Sequence, residues 1–121
     1  MIKYDLTDPN CPTGQALDLI SSRWTPLVLI SLSEGTKRYS DLQRDIPLVS
    51  HKMLTQTLRR LEAKKLIVRV IYAEVPPRVE YSLTDMGKML LPSIMSVLSW
   101  AETYAYELRG SAVEESNPVE A

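Results

Sequence analysis

The chain has 121 residues, 45% of them apolar and 24% charged, the balance of a single globular domain long enough to bury a core. No apolar run reaches the ~18 residues of a membrane span, and the opening "MIKYDLTDPNCP" lacks the apolar stretch of a signal peptide. A single cysteine, Cys11, excludes an internal disulfide framework and suits a reducing compartment, so a cytoplasmic location is expected. The net charge of −1 conceals an uneven distribution. Residues 36–78 hold ten Lys/Arg against four Asp/Glu, whereas the rest hold four against eleven. A cationic middle between acidic ends is the electrostatic footprint of a nucleic-acid partner.

Residues 1–12 read as an irregular N-terminal arm, since Pro9 and Pro12 interrupt any helix. The stretch "TGQALDLISS" predicts a short amphipathic helix through Ala16, Leu17, Leu19 and Ile20. "WTPLVLISLS" is almost continuously apolar and so predicts the buried central helix. Pro26 falls in its first turn, where no intrahelical N–H partner is needed, and Gly35 ends it. "KRYS" reads as an extended link, and "SDLQ" as the opening of a third helix with Ser40 and Gln43 at capping-box spacing. Pro47 stops that helix. Ser50 caps the next, with Val49 and Leu54 at the two positions of a hydrophobic staple. Two short helices separated by "PLV" make a helix-turn-helix.

The second helix, residues 50–63, has an uneven surface. Leu54, Leu58 and Leu61 form one apolar stripe, and the opposite face carries Lys52, Thr55, Gln56 and Arg59 with His51 and Arg60 at its margins. These side chains suit base edges and phosphates. Arginine pairs bidentately with guanine, glutamine with adenine, and threonine meets a base or a thymine methyl. Ser50, His51 and Lys52, at the helix start, suit phosphates or nearby base edges. The bland alternative is an ordinary solvated helix face, the default for charged surfaces.

"LIVRVIYAE", "VPPR" and "VEYSL" predict a hairpin over 67–83, with Pro76 and Pro77 at its tip and Val79, Tyr81 and Leu83 on one face. Such a wing could set Arg78 in the adjacent minor groove, although turn tips are polar anyway. Lys37 and Arg38 are candidate phosphate contacts ahead of the third helix, and Lys64, Lys65 and Arg69 add charge at the wing base. Thr84 caps a last helix, "DMGKMLLPSIMSVLSWAETYAYEL", which Pro92 is expected to bend or split. It has two apolar stripes. Leu91, Met95, Leu98, Ala105 and Leu108 lie on one, and Leu90, Val97, Trp100 and Tyr104 on the other. One covers the domain and the other calls for a partner, unless both form one broad buried face. Leu91, Met95, Leu98, Trp100 and Tyr104 are therefore candidate dimer contacts. Residues 110–121, small and acidic, read as a disordered tail, which leaves 13–109 as the folded domain.

At "CPTGQALDLISSRWTPLVL", "RYSDLQRDIPLVSHKMLTQTLRRLEAKKLI" and "VPPRVEYSLTDMGK" the sequence resembles the HxlR family of bacterial winged-helix regulators, from Cys11 to about Trp100. The resemblance implies an α+β, mainly α, winged helix-turn-helix whose terminal helices form a homodimer, binding a two-fold operator in double-stranded DNA to regulate transcription. Some members of that family sense oxidants or electrophiles through a cysteine at the "CP" position. It therefore makes Cys11 a candidate redox sensor and an oxidant or small molecule a candidate effector; an inert thiol is the plainer reading. Two departures stand out. Ser21–Ser22 replace small glycines, and Lys65 replaces the glycine that commonly ends the recognition helix, where a left-handed lysine costs roughly 1–2 kcal/mol.

No cofactor or metal is expected. His51 is the only histidine and has no clustered second ligand, and there is neither a Gly-rich phosphate loop nor a paired nucleophile and base, so an enzyme is not expected. The rival reading from another class is a winged helix whose basic face docks an acidic protein.

Overall fold

The computed structural model describes residues 5–116, with side chains as far as Gly110. Six helices and one hairpin follow in the order α1 (Pro12–Ser21), α2 (Trp24–Leu32), α3 (Tyr39–Asp45), α4 (His51–Ala63), β1 (Ile67–Tyr72), β2 (Arg78–Leu83), α5 (Asp85–Thr103) and α6 (Ala105–Ser116). The chain forms two compact units, residues 1–89 and 90–121. No described helix is long and apolar enough to cross a membrane.

In the first unit α2 is the central helix, as its continuous apolar run implies. It packs against α1, α3, α4 and β2. Val28, Leu29 and Leu32 are buried, as are the polar Thr25 and Ser31. Leu42 and Ile46 meet this core from α3 and its C-cap, and Leu54, Leu58 and Leu61 bring the apolar stripe of α4 to it. Val49 and Leu54 are both buried, the positions expected of the staple.

Local signals fix most boundaries. Ser50 caps α4, its hydroxyl oxygen accepting the Met53 N–H at 3.1 Å. Thr84 caps α5 in the same way, accepting the Gly87 N–H at 3.1 Å while its own hydroxyl donates to the Lys65 carbonyl at 2.7 Å. Lys65 is left-handed, with φ 62°, as a residue closing α4 at a glycine position must be. Gly87 then passes so close to this corner that a Cβ would lie 2.2 Å from the Leu66 carbonyl oxygen.

Three boundaries differ from the sequence reading. Pro12 is the first residue of α1 and not part of the arm, because the first helical position needs no N–H. Helix α3 starts at Tyr39, since Asp41 Oδ2 accepts the Arg38 N–H at 3.0 Å and makes Arg38 the cap in place of Ser40. Helix α5 continues through Pro92, and the interruption comes at Tyr104.

The hairpin is antiparallel, pairing Ile67 with Leu83 and, at its outer end, Tyr72 with Arg78. A one-residue bridge extends it. The Lys37 N–H donates to the Tyr81 carbonyl at 2.9 Å, and the Tyr81 N–H to the Lys37 carbonyl at 2.8 Å. The alternation of Val79, Tyr81 and Leu83 with Glu80 and Ser82 is not expressed as one buried face. Every residue of β2 is half-buried, because a two-stranded hairpin offers only partial cover on either side. At the tip Val75 is fully exposed and the Val75–Pro76 peptide is cis.

The second unit consists of α5 from Leu90 onward and α6. Ile94 is buried, whereas Met95, Val97, Leu98, Trp100, Tyr104, Tyr106 and Leu108 are exposed. The Trp100 and Tyr104 rings lie 5.6 Å apart. Residues 110–116, expected as the start of a structureless tail, continue α6. Ala112, Glu114 and Glu115 favour helix enough to extend one already formed. The remaining tail, residues 117–121, lies outside the described residues, as do residues 1–4 of the arm.

Candidate nucleic-acid interface

Helix α4 faces the core with its leucines, which leaves Ser50, His51, Lys52, Gln56 and Arg59 exposed and Thr55 half-buried. The six therefore form one continuous polar surface along a capped helix. Among the described residues Lys52 and Arg59 take part in no ion pair. Their charge faces outward uncompensated. Arg60, at the margin, turns back instead, and its Nη2 donates to the Asp18 carbonyl at 3.0 Å, tying α4 to α1. Buried Thr57 donates to the Met53 carbonyl at 2.7 Å and so keeps its own hydroxyl satisfied.

A cleft of about 370 Å³ runs between this surface and the wing, lined by Tyr39, His51, Thr55, Arg59, Arg69 and Tyr81 among others. Glu62 and Arg69 pair at 3.4 Å beside it. Burial raises the Tyr81 phenol above its ordinary value, with the positive Arg69 opposing the shift. Tyr39 was not legible as a site residue from the sequence. Its hydroxyl crosses from the first residue of α3 to the first turn of α4, 2.7 Å from His51 Nδ1 and 3.1 Å from the His51 carbonyl oxygen.

Two of the expected contacts have partners within the chain. The ammonium of Lys37, a candidate phosphate contact, is held by Glu34 and Asp45 and lies 3.2 Å from Ser31 Oγ, with the side chain only 14% exposed. The hydrogen bonds that the ammonium donates to Asp45 and then to Glu34 raise its affinity for the proton, and the same ammonium lowers that of Asp45. A cation held by two carboxylates has little charge left for a phosphate. Arg78 is the candidate minor-groove contact of the wing. It lies 4.1 Å over the Tyr72 ring and faces Glu74 at 3.3 Å and Glu80 at 3.9 Å, so the tip presents Val75 and the prolines. Arg38 remains exposed.

Cys11 caps α1 through its backbone, its carbonyl accepting the Gln15 N–H at 2.9 Å while its own N–H donates to the Asp8 carbonyl at 2.9 Å, and the residue is buried. Among the described residues no three His, Cys, Asp or Glu side chains gather as a metal site would require.

The profile of the HxlR-like helix-turn-helix family matches residues 19–109, which contain every element of this surface. The chain belongs to that family. An uncharacterized HTH-type transcriptional regulator of Methanothermobacter thermautotrophicus is 44% identical over 94 residues, 78% of this chain and 72% of its own. Among solved structures, the putative transcriptional regulator ytfH from Salmonella typhimurium superposes with a TM-score of 0.77 at 38% identity, covering 89% of this chain and 96% of that one. The redox regulator HypR in its oxidized form superposes with a TM-score of 0.71 at 38% identity, covering 77% and 96%. This HxlR-type protein is thus a transcriptional regulator with a helix-turn-helix DNA-binding fold, α+β in class, and not an enzyme.

Proposed function

We propose that the regulator binds a two-fold operator as a homodimer, with α4 in the major groove and the wing beside the adjacent minor groove. One observation carries this reading: the exposed face of α4 collects Lys52, Thr55, Gln56 and Arg59 on a helix fixed by its Ser50 cap, with both cations outside every ion pair among the described residues. Arg59 reads guanine bidentately and Gln56 reads adenine, while Thr55 adds a base or methyl contact. Lys52, Ser50 and Arg38 hold phosphates and so set the register. The wing contributes through its apolar, proline-stiffened tip and its backbone.

The dimer is supported by the apolar residues exposed on α5 and α6, Met95, Leu98, Trp100 and Tyr104 foremost. Half-buried Leu91 lies on the stripe of Met95 and Leu98. Two-fold symmetry then places the recognition helices roughly 34–36 Å apart. An oxidant response is supported by the likeness to HypR, a redox regulator. With one cysteine per chain, oxidation of Cys11 to a disulfide joins two copies, each thiol giving up one hydrogen atom to the oxidant. Its burial means that the α1 start must open first.

The test is a fluorescence-anisotropy titration of a duplex from upstream of the protein's own coding region against a scrambled duplex, at two salt concentrations. At least ~10³-fold tighter binding to the first is expected. Equal binding to both, steeply lost with salt, would reduce the role of this face to phosphate attraction. No binding to either would favour the docking of an acidic protein partner.

A further inference from the structure

With α4 in the major groove and the wing at the adjacent minor groove, the sugar-phosphate strand that divides the two grooves must pass between them. The cleft of about 370 Å³ lies at that place, bounded by α4 on one side and by the hairpin on the other. Thr55, Arg59 and Glu62 follow at i, i+4 and i+7, one stripe of α4 turned to the wing. Arg69 and Tyr81 face them as directly paired residues of the hairpin, so their side chains stand together on one face of it. The polar groups of the cleft differ in how far they are engaged. The Tyr39 hydroxyl is taken up by His51, with contacts at 2.7 and 3.1 Å. The Tyr81 hydroxyl has no hydrogen-bond partner among the described residues, and burial raises its pKa from a value that already keeps it protonated at neutral pH, so it is an unused donor. The nearest approach of Arg69 to Glu62 is Nε to Oε1 at 3.4 Å, between side chains 44% and 37% exposed. A contact of that length between two solvated groups holds the guanidinium weakly and leaves its two Nη groups for another anion.

We infer that this cleft seats the strand between the two grooves, that Arg69 and Tyr81 are its phosphate ligands, and that Glu62 limits their pull. The inference rests on the reading of α4 as the DNA-reading helix. A phosphate oxygen set between the paired side chains accepts from an Arg69 Nη–H and from the Tyr81 O–H, both charge-assisted bonds. Such a contact is blind to base sequence and fixes the depth at which α4 sits in its groove. Glu62, the only acid of α4, faces the same phosphate with the wrong sign. It opposes every duplex equally and so shortens the dwell of the protein on any phosphate backbone, the operator's included.

The anisotropy titration with the upstream and scrambled duplexes reads each role. Arg69→Gln is expected to weaken binding to both by roughly tenfold and to lower the slope of log affinity against log salt by about one. Tyr81→Phe, which removes a hydroxyl and no charge, is expected to weaken both by about threefold with the slope unchanged. Glu62→Gln is expected to tighten both by roughly threefold, the repulsion of a carboxylate ~6 Å from a phosphate in water. The seat itself is located by neutralising one phosphate at a time, as a methylphosphonate, in the upstream duplex. One position per half-site, on the strand between the two grooves, should cost the native chain roughly tenfold and the Arg69→Gln chain less than about twofold. Native discrimination between duplexes overturns this inference alone if Arg69→Gln and Tyr81→Phe bind as the native chain does, if Glu62→Gln binds more weakly, or if every methylphosphonate costs the native and Arg69→Gln chains alike. Failure of the native chain to discriminate overturns the reading of α4 and this inference with it.

Discussion

Gly87→Ala is expected to destabilise the protein although alanine is much the better helix former. The gain in helix propensity is at most about 1 kcal/mol. Against it stands a Cβ placed 2.2 Å from the Leu66 carbonyl oxygen, where a carbon–oxygen contact needs about 3.3 Å. The first turn of α5 must therefore withdraw by roughly 1 Å. That movement stretches the bond from the Thr84 N–H to the same Leu66 oxygen, now 3.1 Å, beyond hydrogen-bond range. Loss of that bond costs about 1 kcal/mol and forced repacking about 1–3 kcal/mol. The net loss is roughly 1–3 kcal/mol, or about 4–12 °C in Tm for a chain of this size. Thermal unfolding followed by circular dichroism reads it. At the same corner Lys65→Gly should act oppositely, removing about 1–2 kcal/mol of left-handed strain for a smaller entropic cost, a net gain near 0.5–1 kcal/mol. A Gly87→Ala protein that melts at or above the native temperature would refute the steric argument.

Arg59→Ala should weaken operator binding by about 1–3 kcal/mol and relax discrimination at one base pair, read by titration against single-substituted duplexes. Lys37→Met should leave the slope of log affinity against log salt unchanged, whereas Lys52→Ala should lower it by about one counterion. Ser50→Ala removes the α4 cap and should cost about 0.5–2 kcal/mol in denaturant unfolding. Because Lys37 and Ser31 hold the Asp45 carboxyl below its ordinary value of 3.8, its contribution is complete above that value and is lost as pH falls through the lowered one. Asp45→Asn should accordingly flatten the acid limb of the stability profile. Trp100→Glu should shift the sedimentation of the protein toward the monomer and weaken operator binding in parallel.

The helix-turn-helix was legible because its punctuation is local. Pro47 and Ser50 act within one turn of their own positions, and the leucine stripe of α4 needs only a period of 3.6 to be seen. Charge was less legible. Lys37 and Arg78 count as cations in any sum, yet their partners Asp45 and Glu80 meet them only once α3 and the hairpin have formed. The fate of Arg78 was nevertheless half-written in the register, since a hairpin closed by residues 73–77 sets it opposite Tyr72. The role of Tyr39 left no such trace. An aromatic at the first position of α3 reads as packing, and only the approach of α4 shows what its hydroxyl does.

The bridge between Lys37 and Tyr81 has a mechanical consequence. Tyr81 pairs with Arg69, so the backbone ties the inner half of the hairpin to the strand-like link ahead of α3 and, among the described residues, leaves the outer half without a further strand partner. The wing is a cantilever with its fulcrum at Tyr81 and a free arm of about three residues, roughly 10 Å. Its root keeps register with the recognition helix. If the proposed binding mode holds, such an arm can bend at its end without moving its root.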